Sequence, residues 1–270
     1  MMSNKSNVTS VDPSKYIEPI PSKMRRVGVT LPSTDVTIEK EFYKYLPDSI
    51  SLHFTRMPLD SVTEEGLEKM SESALDCARL IADMKPDLVV YACTSGTFIK
   101  GKAFDEKMKE KIELVTGVPV ISMASAVIEL LKETNMTKVA TYAPYPPSIC
   151  EKLRDYIQSF DIGICGNYSL GITDDNVSGN LTSENIARFV MDYNTTDSDG
   201  IFISCSNLEI IDQLNMLKRV LHKPVFSSNL AVIASILKYF DYPLQYEIFQ
   251  CCLHENHPLI KKDSNYSRTN

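Results

Sequence analysis

Two stretches of this chain, DLVVYACTSG at 87–96 and DGIFISCSNL at 199–208, each open on Asp, run through apolar residues and reach a cysteine six positions later. The two cysteines stand 112 residues apart (205 less 93), and other segments echo each other at similar distances. RVGVTLP (26–32) and KVATYAP (138–144) carry a valine-led run into a proline, and VPVIS (118–122) and KPVFS (223–227) share Pro-Val-apolar-Ser. Self-similarity at a near-constant offset marks a duplicated architecture, in which each half buries the same apolar faces in the same order. The chain is therefore predicted to form two similar lobes.

Short apolar bursts alternate with longer amphipathic stretches, the pattern of an α/β domain with a mainly parallel sheet. Strands are predicted at 26–31, 50–54, 87–92, 118–121, 138–143, 161–165, 199–204 and 224–226. Helices are predicted at 63–84, 102–115, 124–134, 147–159, 183–194, 207–220 and 229–240. In the first of these, Leu67, Met70, Ala74, Cys77 and Ile81 recur at helical spacing behind Thr63 as N-cap. The expected fold is two pseudo-symmetric, doubly wound lobes facing across a central cleft. The division reads as a flexible N-terminal tail (1–24), a first lobe (25–134), a second lobe (135–240), and a C-terminal extension ending in a polar tail (241–270).

A net charge of −7 without a dense Lys/Arg stripe argues against nucleic acid, since phosphate binding needs clustered positive charge. No apolar run approaches the roughly 18 residues that span a bilayer, so no membrane partner is expected. Asn and Ser occupy the N-terminus where a signal peptide would have its apolar stretch, which points to the cytoplasm. Seven cysteines, an odd number, fit reduced thiols better than a disulfide framework. Neither a Gly-rich phosphate loop nor a zinc-type Cys-x-x-Cys pair is present, and no cofactor is expected. His254-Glu-Asn-His257, beside the polar tail, is the nearest approach to a metal motif.

In open parallel sheets, ligands gather outside the carboxyl ends of the strands. Cys93 and Cys205 both fall there, and if the lobes face one another the two thiols approach one cleft from opposite sides. A single cysteine at a strand end reads as a small buried hydrophobe. Packing, however, supplies no reason for both halves to carry one. The residues that follow, Thr94-Ser95-Gly96-Thr97 and Ser206-Asn207, are small and polar, and their N–H and hydroxyl groups suit a carboxylate. Thiols on opposite sides of one carbon suit stereochemical inversion, and a nucleophile facing a proton donor suits reversible addition to a double bond. Cys77, Cys150, Cys165, Cys251 and Cys252 read as packing residues, and His53, at a strand end, as a residue that seldom reaches the cleft.

The motifs ACTSGT (92–97) and SCSN (204–207), with LPSTDVTIE (31–39), APYPPS (143–148) and LGITDDN (170–176), resemble the aspartate/glutamate racemase superfamily, in its maleate isomerase and arylmalonate decarboxylase branch. The resemblance spans roughly residues 25–240. It implies Cys93 as the nucleophile that adds to an alkene carbon and Cys205 as its acid/base partner, because the decarboxylases keep only the second-lobe cysteine. It also implies that Thr94, Ser95 and Tyr145 hold a substrate carboxylate, that Asn176 contacts substrate, and that the protein is a homo-oligomer. Read on their own, Tyr145 is a stiff loop residue between prolines and Asn176 a turn or N-cap residue. Asp35 stands where the isomerases have Asn, which places an acid near an anionic substrate unless it is protonated or receives an ammonium or amide. The function expected is a cofactor-independent isomerase or racemase of a small carboxylate. The alternatives are an arylmalonate-type decarboxylase using Cys205 as proton donor, and a non-catalytic small-acid binding protein.

Overall fold

A computed structural model of the chain describes residues 10–17, 24–194, 196–253 and 257–260. The first lobe runs β1 (Arg25–Pro32), α1 (Ile38–Tyr45), β2 (Ile50–Met57), α2 (Glu64–Glu72), α3 (Ala74–Ala82), β3 (Leu88–Tyr91), α4 (Thr94–Phe98), α5 (Lys102–Thr116), β4 (Val120–Ser122) and α6 (Met123–Glu133). The second runs β5 (Lys138–Ala143), α7 (Pro147–Gln158), β6 (Gly163–Ser169), α8 (Asp175–Gly179), α9 (Ser183–Asp192), β7 (Gly200–Ile203), α10 (Ile211–Leu221), β8 (Val225–Ser227), α11 (Ser228–Tyr239) and α12 (Tyr246–Phe249). Each lobe has one four-stranded sheet, ordered β2-β1-β3-β4 and β6-β5-β7-β8, and every pairing in both is parallel.

The inner strands β3 (LVVY) and β7 (GIFI) are buried throughout, as expected where helices cover both faces of a parallel sheet. The Asp that opens each repeated stretch caps the start of the neighbouring strand. Asp87 Oδ2 accepts the N–H of Arg26 at 2.8 Å, and Asp199 accepts those of Thr137 and Lys138 at 2.8 and 3.0 Å. Ser122 and Ser227 likewise cap α6 and α11, taking the N–H groups of Ser125 and Leu230. The repeat is thus a repeat of strand and helix starts.

The predicted helix over 63–84 has Thr63 as its N-cap, with the hydroxyl accepting from Gly66 N, and all five spaced apolar residues are buried. It breaks into α2 and α3 at Ser73, whose hydroxyl donates to the carbonyl of Met70 and competes with the helical ladder. Four short helices, α1, α4, α8 and α12, were not foreseen. Much of the predicted C-terminal extension is packed structure: Leu244, Phe249, Cys251 and Leu253 are buried, and Val225 N donates to the carbonyl of Cys251 beside β8. The polar tail from 261 onward and residues 1–9 lie outside the described residues.

The lobes dock through α6 and α11. Ser228 to Leu237 of α11 are buried without interruption, because that helix packs against β8 of its own lobe and against α1, β4 and α6 of the other. Lys238 reaches Glu129 (3.9 Å) and Glu133 across the same seam. Buried Glu41 on α1 accepts the N–H groups of Ile210 and Ile211 at the start of α10 and the amide of Asn229 on α11 (2.7 Å). One first-lobe side chain therefore organises two second-lobe helix starts.

Candidate active site

In each sheet the chain runs outward from the first strand to the second, then crosses back to the third. The switch point lies between β1 and β3 in one lobe and between β5 and β7 in the other. The crevice beyond the carboxyl ends of such strands is where α/β proteins bind ligands. Four loops open there: Asp35 follows β1, Cys93 follows β3, Tyr145 follows β5 and Cys205 follows β7.

Cys93 is the N-cap of α4, and its Sγ accepts the N–H of Gly96 at 3.3 Å with Ser95 Oγ 3.8 Å away. An added Cβ at Gly96 would lie 3.1 Å from that sulfur and 2.6 Å from the end of the flexible Met70 side chain, so glycine lets the helix start close in on the thiol. Thr94 and Ser95 are buried beside it, with the Thr94 hydroxyl 2.8 Å from the sulfur of Met123. Cys205 Sγ accepts from Asn207 N at 3.4 Å, and its own N–H donates to Ser228 Oγ at 3.2 Å. Its φ of +154° lies in a region disfavoured for any residue with a Cβ, at a cost of about 1–3 kcal/mol. Surrounding bonds hold the thiol in that position.

Tyr145 sets its ring against Phe98 of the first lobe, with centroids 6.1 Å apart. It is buried, its hydroxyl is 3.4 Å from Ser204 Oγ, and burial pushes its phenol well up, helped by the charges of Cys205 and Cys93. Asp35 is fully buried; Oδ1 accepts the N–H groups of Thr37 and Ile38, both at 2.9 Å, while Oδ2 has no hydrogen-bond partner. Burial raises its carboxyl to about 6, against the opposing pull of Ile38, Ser206 and Thr37. Burial also raises Asp175, whose Oδ2 accepts from Thr34 Oγ1 (2.6 Å) and Asn207 Nδ2 (3.0 Å). Asn207 Oδ1 completes the stitch by accepting Val36 N at 2.9 Å.

Both thiols are held protonated near neutrality. Burial pushes Cys93 up to about 12, the Gly96 N–H and Ser95 hydroxyl oppose this, and the negative charges of Asp175 and Asp35 add to it. Cys205 is raised in the same way, by burial first and then by Asp175 and Asp35. Tyr145, Asp35 and Asp175 therefore lie within electrostatic reach of both sulfurs. With Cys93 and Cys205 only 3% and 5% exposed, the cluster is closed to solvent.

Of the residues predicted from sequence, Cys93, Cys205, Thr94, Ser95, Tyr145, Asp35 and Ser206 are all buried around these four loops. Asn176 is not brought in: it is exposed, and its carboxamide donates to Asp174 Oδ1 at 3.0 Å. Its neighbour Asp175 enters the cluster instead, because α8 begins there and turns that side chain inward. His53 sits in the middle of β2, which is longer than expected, and bonds Ser51 Oγ (2.9 Å). Sequence reasoning missed the bridging role of Asn207, although it occupies the repeat position of Ser95. Asn229 was also missed; its amide donates to the carbonyl of Ser206 (2.8 Å). Residues 254–256 of the His254–His257 motif lie outside the described residues, among which no set of side chains converges as metal ligands. No helix among the described residues is long and apolar enough to cross a membrane.

The sequence model of the arylmalonate decarboxylase family matches residues 27–246. The maleate isomerase of Geobacillus stearothermophilus is 27% identical over 231 residues, covering 80% of this chain and 92% of the relative. Among solved structures, a cysteine-to-alanine variant of the Pseudomonas putida S16 maleate isomerase with maleate superposes with a TM-score of 0.79 at 26% identity, covering 82% of this chain and 94% of that one. A cysteine-to-serine variant of the Nocardia farcinica maleate cis-trans isomerase, with a covalently bound succinylcysteine intermediate, has a TM-score of 0.77 at 27% identity, covering 82% and 94%.

Proposed function

The chain belongs to the arylmalonate decarboxylase family, and from that premise we propose that it is a cofactor-independent cis–trans isomerase of a small unsaturated carboxylate. In this reading Cys93 is the nucleophile and Cys205 its acid/base partner. One observation carries it: the equivalent loop of each lobe holds a buried thiol, and Tyr145, Asp35 and Asp175 reach both. The similar isomerases, one with maleate and one with a succinylcysteine, support the same chemistry.

The reaction needs a substrate whose double bond is conjugated to a carboxylate. In the free protein Cys93 gives its proton to solvent water, and the sulfur of the thiolate so formed, the form on which the cycle starts and ends, adds to one alkene carbon of the bound substrate. The π electrons move toward the neighbouring carbon and its carboxylate, and Cys205 delivers a proton to that carbon. The former double bond is now single and rotates. Cys205 then takes the proton back, the carbon–carbon π bond re-forms, and the carbon–sulfur bond breaks to release the trans isomer and the Cys93 thiolate. The hydroxyls and N–H groups at Thr94, Ser95, Tyr145 and Ser206 stabilise charge that develops on the carboxylate oxygens. The unfavourable charges of Asp35 and Asp175 keep the thiolate scarce.

The same reading includes a homo-oligomer, on the strength of the family resemblance, and a cytoplasmic setting, where seven free cysteines stay reduced. NMR of a cis diacid incubated with the protein tests the chemistry. Conversion to the trans isomer is expected, with losses on the order of 10³-fold or more in Cys93→Ala and in Cys205→Ala. Cys205→Ser should accumulate an adduct of one substrate on the peptide containing Cys93. Carbon dioxide release from arylmalonates that survives Cys93→Gly would instead assign a decarboxylase, and tight binding without turnover a binding protein.

A further inference from the structure

Asp35 is the least explained group in the site. A buried polar atom without a partner loses its hydration and receives nothing in return, which is why native proteins seldom leave one. Asp35 Oδ1 is satisfied twice by backbone N–H groups at the start of α1, so the carboxylate is anchored and its orientation set. Oδ2, equally buried, is left over. The Ser206 hydroxyl helps stabilise this carboxyl without closing a hydrogen bond to Oδ2, and the residues on either side, Thr34 and Val36, bond Asp175 and Asn207, whose own N–H rests on the Cys205 sulfur, so Asp35 stands at the thiol cluster.

The donor set of the site sharpens the point. The carboxyl oxygens of Asp35 and Asp175 take hydrogen bonds from backbone N–H groups, a hydroxyl and an amide. Neither is neutralised by a Lys or Arg hydrogen bond. An ionised Oδ2 is an acceptor only, and it repels a second substrate carboxylate placed against it. A substrate that presents an N–H there removes the repulsion and satisfies the orphan atom together.

We propose that Asp35 selects a substrate carrying one carboxylate and one N–H donor, and that this donor is a carboxamide conjugated with the alkene. The inference rests on the isomerase reading above. Addition of Cys93 needs a carbonyl in conjugation with the double bond; a carboxamide retains that conjugation while offering N–H to Oδ2, and an alkyl ammonium does not. Thr94, Ser95 and Tyr145 remain for the single carboxylate. No oxidant or co-reactant is required, since addition, rotation and elimination conserve every atom.

The test compares the monoamide of maleate with maleate itself, following cis–trans conversion by NMR in the wild-type protein and in Asp35→Asn. A hydrogen bond to a charged group is worth about 1.5–3 kcal/mol, which corresponds to roughly 10- to 100-fold in kcat/KM. Wild type is expected to prefer the monoamide by that factor. In Asp35→Asn the preference should collapse or reverse toward maleate, because Asn keeps the Oδ1 acceptor and can place an amide donor where Oδ2 stood. Thermal unfolding confirms that the variant is folded, and the wild-type ratio decides the matter independently of it. Equal use of both compounds by wild type, or a preference for maleate, overturns the inference and leaves the isomerase reading in place. An unchanged monoamide preference in folded Asp35→Asn also overturns it. Failure of wild type to convert either compound sinks the isomerase reading and this inference with it.

Discussion

Replacing Glu41 by Gln should flatten the dependence of stability on pH. Glu41 is 2% exposed and spans the lobe interface, with Oε1 on the N–H groups of Ile210 and Ile211 (3.2 and 3.3 Å) and Oε2 on Asn229 Nδ2 (2.7 Å). These bonds favour the carboxylate, yet burial outweighs them and raises the group from an ordinary 4.5 to about 7. A carboxyl raised in the folded state binds its proton more tightly there than in the unfolded chain. Its contribution is present in full below about pH 4.5 and is lost as pH climbs through about 7. At about 1.4 kcal/mol per tenfold change in proton affinity, the loss is about 3 kcal/mol. Gln cannot titrate. Urea unfolding at intervals from about pH 5 to 8 should show wild type losing stability relative to Glu41→Gln by about that amount. A constant offset reports only the changed hydrogen bonds, worth about 1–3 kcal/mol for an unsatisfied partner, and the divergence reports the titration. Asp35, Asp105 and Asp175 are raised too, but they are common to both proteins and cancel in the difference. Parallel curves would refute the argument and place the Glu41 charge in an environment far better solvated than its burial implies.

Further expectations concern the site and the packing beneath it. Asn207→Ala should cost about 2–4 kcal/mol in urea unfolding, because it strips partners from Val36 N and Asp175 at once; a change below 1 kcal/mol would show the lobes are stitched elsewhere. Burial of Cys93 near 12 means that kcat/KM for the unsaturated substrate should rise with pH across the neutral range, without levelling before about pH 9, and a bell centred on neutrality would contradict it. Gly28→Ala should cost about 1–3 kcal/mol, since the new methyl would sit 2.1 Å from Cγ2 of the stiff, β-branched Ile81. Gly200→Ala meets the flexible Met136 at 2.3 Å and should cost less, so an equal loss of Tm in the two would show that side-chain stiffness is not the deciding factor.

How far the sequence was legible depends on how local each cause is. The strands could be read because each is a short apolar run with its own boundary signals, and the duplication fixed their order twice. The helix over 63–84 was visible by periodicity, but its break at Ser73 depends on one hydroxyl bonding a carbonyl three residues back, which periodicity cannot show. Helix α1 carried a readable signal that went unused: Asp35 precedes Ile38 and Phe42, an acid ahead of apolar residues at i, i+4 spacing, and it does cap the helix start. Asn176 and Asp175 were exchanged because adjacent polar residues in a turn are alike in sequence, and only the direction of α8 separates them.

By itself, then, the amino-acid order determined the doubly wound class, the near-identical build of the halves and the placing of a thiol after the third strand of each, all products of short-range pattern and backbone chemistry. Only the tertiary structure decided that Glu41, on a face where a Glu reads as solvated, would hold helix starts 169 residues away, or that Asn207 would tie Val36 to Asp175. It also decided that one oxygen of Asp35 would be stranded in the site. Those outcomes depend on desolvation, and desolvation exists only once the second lobe has closed over the first.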